Sequence, residues 1–297
     1  PVMVGTDGKG TEPKMKAGGM DGTLEKWSFQ DLRFVIDTLI PERTDPEHIA
    51  GLLQEDEELL EAMLQDDRLF QELMASEEVL LAVSPQFFFR VLLRRARRDL
   101  EQELYTVERR HQQKVVLFDA SQVVDLLAST EVCDYLAGML ASFTRINSAT
   151  IPVRVRPGIW RRLRINDLDV DSLIAYANIL EEEHRFWVYQ RIGDACLFLS
   201  GMFPEHVDAQ QRYPLGGQPR YRVRGSLVHS LEDFEGYGQT FYRLAASHPV
   251  AQAQGLDSVL STLSERFILA EKPLSFLAER YLALRKHRLF ARSKLDT

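Results

Sequence analysis

Apolar residues recur at three-to-four spacing along most of this chain, and that period predicts helices. The clearest stretch runs from Asp171 to Gly201. Ile174, Ala177, Val188, Ile192, Ala195 and Leu199 form one stripe; Leu173, Tyr176, Leu180, Trp187 and Phe198 form a second. Asp169 and Asp171 can cap its first turn, Gly201 can end it, and Pro204 follows. The pattern predicts one long helix, roughly 45 Å from end to end, with neighbours on two sides.

The same reading extends along the rest of the chain. Ser28 caps a predicted helix that runs through Leu39 and stops at Pro41. Thr44-Asp45-Pro46-Glu47 is a second start signal, a capping residue followed by proline in the first turn. Between Asp45 and Glu78 twelve acids face a single base, Arg68, with leucines and Phe70 at helical spacing, which predicts two or three acidic amphipathic helices. Ser84-Pro85 opens a helix predicted to reach Lys114, with a stripe through Phe89, Leu93, Ala96, Leu100, Leu104, Val107 and His111. Arg90, Arg94, Arg95, Arg97 and Arg98 crowd its first half, directly after the acidic block, so internal charge pairing accounts for both. Two shorter helices are predicted near Ser121–Ala128 and Thr130–Phe143.

The period then changes to two. Ile151-Pro-Val-Arg-Val-Arg alternates, Pro157-Gly158 turns, and Ile159-Trp-Arg-Arg-Leu-Arg-Ile alternates again, which predicts a β-hairpin over about 150–166. A short strand is expected at Tyr221–Val223, and three helices at Leu231–Ser247, Leu256–Ala270 and from Pro273 to near Phe290. The fold class expected is mainly α, a multi-helix bundle with one small hairpin. Residues 1–22 read as a disordered tail or an expression remnant, 23–83 as an acidic helical segment, and 84–297 as the main helical domain.

Composition changes this picture little. The 297 residues carry a formal net charge of −8, which argues mildly against nonspecific binding to polyanions. Cys133 and Cys196 lie among apolar residues and form no CxxC, so they read as buried thiols in a reducing compartment. With no apolar run of membrane-spanning length and no signal-peptide pattern, the expectation is a cytoplasmic protein without a membrane partner.

Two constellations could carry chemistry. Glu108-Arg-Arg-His111 and Glu181-Glu-Glu-His184 repeat Glu-x-x-His, and at i and i+3 on a helix these side chains share a face. Two such helices facing each other could hold iron or another transition metal, as in ferritin-like bundles. The competing reading is buried or half-buried histidines hydrogen-bonded to glutamates or arginines. Second, helix, helix and a hairpin bearing Arg154, Arg156, Arg161, Arg162 and Arg164 has the order of a winged-helix nucleic-acid binder. Its recognition helix would be Thr130–Phe143, which carries Glu131 and Asp134 and no base, so nucleic acid is not favoured. Signatures such as GxSxG, HExxH or a phosphate loop do not occur. Whether the chain is an enzyme is left open. The expected function is non-catalytic, through contact with another protein or a second copy, using acidic and arginine-rich surfaces.

Overall fold

A computed structural model describes residues 27–43, 45–75, 78–103, 105–110, 113–156, 159–205, 207 and 229–290. It is mainly helical, with short antiparallel hairpins as its only strands among the described residues. The expected tail at 1–22 and the strand at Tyr221–Val223 lie outside that range. No described helix is long and apolar enough to cross a membrane.

The chain divides into two compact units. Of the described residues, the first takes in those up to Thr106 together with Val116–Thr144, and the second those of Val107–Val115 and those from Arg145 on. The boundary expected between 83 and 84 therefore falls inside the first unit.

The first unit opens with α1 (Phe29–Leu39), capped by Ser28. The acidic block follows as α2 (Pro46–Glu55), α3 (Glu57–Leu64) and α4 (Asp67–Ala75), then a single turn, α5 (Val79–Ala82). Asp56 separates α2 from α3 by accepting from Leu59 N–H at 2.9 Å. Helix α4 packs on α6 (Pro85–Glu101), and Phe34 of α1 meets Phe87 edge-on; Ser84 caps α6, accepting from Phe87 N–H at 3.1 Å. The first half of α6 is buried on every side: Phe87, Phe88, Phe89, Leu92 and Leu93 are core, and so are Arg90 and Arg94. The short α7 (Ala120–Ala128) and α8 (Thr130–Ser142) pack against it. Cys133 on α8 is buried.

Helix α6 ends thirteen residues short of the expected Lys114. Strands β1 (Thr106–Arg110) and β2 (Gln113–Leu117) form a hairpin instead. The reason is local. Tyr105, Thr106, Val107, Val115 and Val116 are β-branched or aromatic, and such residues suit a pleated strand better than a helix. The stripe through Leu104 and Val107 continued the helical period by coincidence.

The second unit contains the expected hairpin as β3 (Ser148–Arg156) and β4 (Ile159–Asn166). The long helix expected over Asp171–Gly201 is two helices, α9 (Val170–Ala177) and α10 (Phe186–Met202), with a 3₁₀ turn at Glu182–His184 between them. The break is held by side chains that satisfy its freed carbonyls. Arg185 Nε donates to Leu180 O at 2.9 Å, and His248 Nε2 lies 3.0 Å from Glu182 O. Helix α11 (Leu231–Ala246) starts with a capping box made by Ser230 and Asp233. His248 then caps α12 (Pro249–Ala253), and α13 (Asp257–Glu265) and α14 (Phe267–Phe276) follow. Pro273, expected to start a helix, lies inside α14; the boundary is at Arg266. A π-turn at Leu277–Tyr281 and α15 (Lys286–Leu289) end the described chain.

Helix α10 is the centre of this unit, and glycines set how closely its neighbours approach. A Cβ on Gly193 would lie 2.6 Å from the Tyr242 ring of α11, and one on Gly238 of α11 would strike Phe267 of α14. Tyr242 then reaches the buried Asp194 of α10, donating to its Oδ1 at 2.9 Å. Cys196, also on α10, is fully buried. Each unit thus has one interior thiol.

Candidate functional site: a basic hairpin arm

The arginines of α6, which the sequence groups with those of the hairpin, have a structural use. Arg94 pairs with Glu61 of α3 at 2.7 Å and with Asp134 of α8 at 3.5 Å; Arg90 meets Asp134 at 3.1 Å and lies 4.3 Å from the Trp27 ring. Arg95 and Arg98 both bind Asp67 of α4. Burial alone would raise the Glu61 carboxyl, but the hydrogen bonds and charge of Arg94 outweigh it and hold the carboxyl below its ordinary range. The inner acids of the 45–78 block are therefore consumed within the unit. Its outer acids Glu47, Glu55, Glu57, Glu58 and Glu72 stand exposed, and Leu52 and Leu59 lie exposed among them.

The hairpin differs. Strands β3 and β4 pair antiparallel with Thr150 opposite Arg164, Ile151 opposite Leu163, Pro152 opposite Arg162, Val153 opposite Arg161 and Arg154 opposite Trp160. Side chains alternate between faces along a strand, and directly opposed residues share one. One face therefore takes positions 150, 152, 154, 160, 162 and 164, and the other 149, 151, 153, 161, 163 and 165. Burial follows the same division where side chains are described. Thr150, Pro152, Arg162 and Arg164 are exposed, whereas Ala149, Ile151 and Leu163 are half-buried and Ile165 is 1 % exposed. Arg162 and Arg164 are two residues apart on one strand, about 7 Å along it. A register irregularity between Arg154 and Arg156 places Arg156 opposite Ile159. Of the side chains at 154, 156 and 161 nothing more is described.

The base of this arm is fixed firmly. Asp167, 3 % exposed, accepts from Asn147 N–H at 3.0 Å and pairs with Arg191 of α10 at 3.1 Å. Asn166 donates to Ser148 Oγ at 2.8 Å, and Asp167 N–H donates to Asn147 O at 3.2 Å. Strand β4 packs on α9, whose cap Asp169 accepts from Ser172 N–H at 3.3 Å. Burial, and the neighbouring Asp171, push the Asp169 carboxyl up. Helix α8 buries Val132, Cys133, Tyr135, Leu136, Met139 and Leu140, so it has no face to offer a groove.

The four expected metal ligands fall in different settings. Glu108 is on β1, a strand rather than a helix, and His111 lies outside the described residues. Glu181 precedes the 3₁₀ turn, His184 is its last residue, and both are exposed; with Glu183 their ligand atoms lie within 4.8 Å of one another. Neither Glu-x-x-His segment is the α-helix the expectation needed. Glu183 was missed because a helical spacing of one or two residues separates ligands that a tight turn brings together. Compared with protein-family models, curated proteins and solved structures, the chain matches none.

Proposed function

We propose that this chain is a non-catalytic, cytoplasmic interaction protein whose β3–β4 arm engages an acidic segment of a partner protein. One observation carries this reading: Arg162 and Arg164 are exposed on the outer face of an anchored hairpin, beside Thr150 and Pro152. Arg90 and Arg94 of α6, by contrast, are buried. An extended basic ribbon of this kind suits a short run of carboxylates. The net charge of −8 and the buried α8 favour such a segment over the continuous charge of nucleic acid. The exposed acids of α2 to α4 offer a second contact surface of opposite sign.

The test is fluorescence anisotropy of the full chain with a poly-glutamate peptide and with a single-stranded oligonucleotide of equal charge, across a salt series. The peptide is expected to bind, with weakening as salt rises, and Arg162→Gln with Arg164→Gln to lower its affinity about tenfold. Tighter binding of the oligonucleotide would replace this reading with nucleic-acid recognition. Binding of neither at low salt would end it.

A second reading rests on the Glu181, Glu183 and His184 triad, two carboxylates and an imidazole suited to a transition metal such as iron. Elemental analysis of purified protein with and without His184→Ala tests it: metal above background that falls with the substitution is the expected result.

A further inference from the structure

An acidic surface of the first unit matches the arm of the second in both charge and apolar content. Within the acidic block the fold consumes part of the charge: Glu61 pairs with Arg94, Asp66 with Arg68, and Asp67 with Arg95 and Arg98. Glu47, Glu55, Glu57, Glu58 and Glu72 stay exposed. Arg68 is the single Lys or Arg between Asp45 and Glu78, and Asp66 holds it. The block has no other cation of its own to set against the outer acids.

Charge alone does not make a docking face, and here it is not alone. Leu52 of α2 and Leu59 of α3 are each 47 % exposed, although the same helices bury Leu53, Leu60 and Leu64. Glu55, Glu57, Glu58 and Leu59 follow one another around the α2–α3 joint, which Asp56 fixes by capping α3. The outer face of the arm carries the same mixture with the opposite sign. Thr150, Pro152, Arg162 and Arg164 are exposed there, with Pro152 opposite Arg162 and Thr150 opposite Arg164. Apolar groups flanked by charge are the composition of a protein interface, and the planar guanidinium grips a carboxylate with two parallel hydrogen bonds.

We propose that the arm docks on the α2–α3 face of a second copy of this chain. This rests on the arm being a protein-contact surface, and it names the occupant. Every copy carries both surfaces, so the contact is heterologous, arm to face. It closes as a reciprocal pair or a ring, or continues head to tail. The net charge of −8 opposes the approach of two copies at long range. At about 0.1 M salt the Debye length is about 10 Å, so that repulsion is screened while guanidinium–carboxylate pairs at hydrogen-bond distance persist. A two-stranded ribbon presents a small interface, of the kind that gives weak and reversible association.

Sedimentation velocity of the full chain over a concentration series, at about 0.1 M and about 1 M salt, tests this. The sedimentation coefficient should rise with concentration at the lower salt and stay flat at the higher. Arg162→Glu with Arg164→Glu sets acid against acid, and Glu55→Lys with Glu58→Lys sets base against base; all four positions are exposed. Each double variant alone should associate about tenfold more weakly or worse. An equimolar mixture of the two should regain the association of the original chain, because each then offers what the other lacks. An original chain that stays monomeric at the lower salt, double variants that associate unchanged, or a mixture that regains nothing would each overturn the proposal. A chain that binds poly-glutamate yet stays monomeric excludes the second copy and leaves the arm as a contact surface for another protein. A chain that does neither ends both readings.

Discussion

Arginines are dense in two places, and the two places use them differently. In α6 they are the filling of a charged interior: Arg90 and Arg94 are buried against Asp134 and Glu61, and their neighbours reach Asp67. On β4, Arg162 and Arg164 face outward above an anchored base. The lesson is that a run of like charge says nothing by itself about availability. What decides is whether the fold buries it or leaves it facing outward.

Substitutions can break or sharpen this contrast. Arg94→Ala removes one partner from a buried cluster and should cost the first unit about 2–4 kcal/mol in urea denaturation, because Asp134 keeps only Arg90. Asp167→Ala leaves Arg191 without its carboxylate at the base of the arm, and a loss of about 2 kcal/mol is expected. Together with that loss, amide exchange along β3 and β4 should speed up.

Acid provides a finer probe. Arg94 holds the Glu61 carboxyl below its ordinary 4.5, so Glu61 stabilises the fold above that value and the contribution disappears as pH falls through the lowered one. Glu61→Gln should therefore start less stable at neutral pH and lose less on acidification. Asp31 runs the other way. Burial raises its carboxyl above the usual 3.8 despite two bonds from Ser84, so its protonation offsets part of the acid loss. Asp31→Asn should steepen the pH dependence that Glu61→Gln flattens, as read from melting temperatures across the acid range.

The smallest effect is expected on the arm. Arg162→Gln with Arg164→Gln should change stability by about 0.5 kcal/mol or less. A destabilisation as large as that of Arg94→Ala would mean that the two arginine groups are alike after all.

Much of the fold was legible because its local signals were strong. Ser28, Ser84 and Asp169 cap helices where the sequence placed caps, and β3 and β4 lie within two residues of the expected hairpin. The misreadings share a cause, which is distant residues overriding a local period. Apolar spacing runs through Leu180, yet the helix breaks there because His248 and Arg185 supply partners to its carbonyls. Arg94 could not be matched to Glu61, thirty-three residues away, from composition alone. Glu271, Lys272 and Pro273 lie buried inside α14, where the expected helix start at Pro273 hid their continuity with the residues before them.

The two interior cysteines give this protein built-in gauges of its own opening. Cys133 sits in the first unit and Cys196 in the second, and burial pushes both thiols up, Cys133 to about 11. A thiol reagent can reach either only when the surrounding helices part. With one cysteine replaced at a time, alkylation rates under native conditions would time the breathing of each half separately, without any added label.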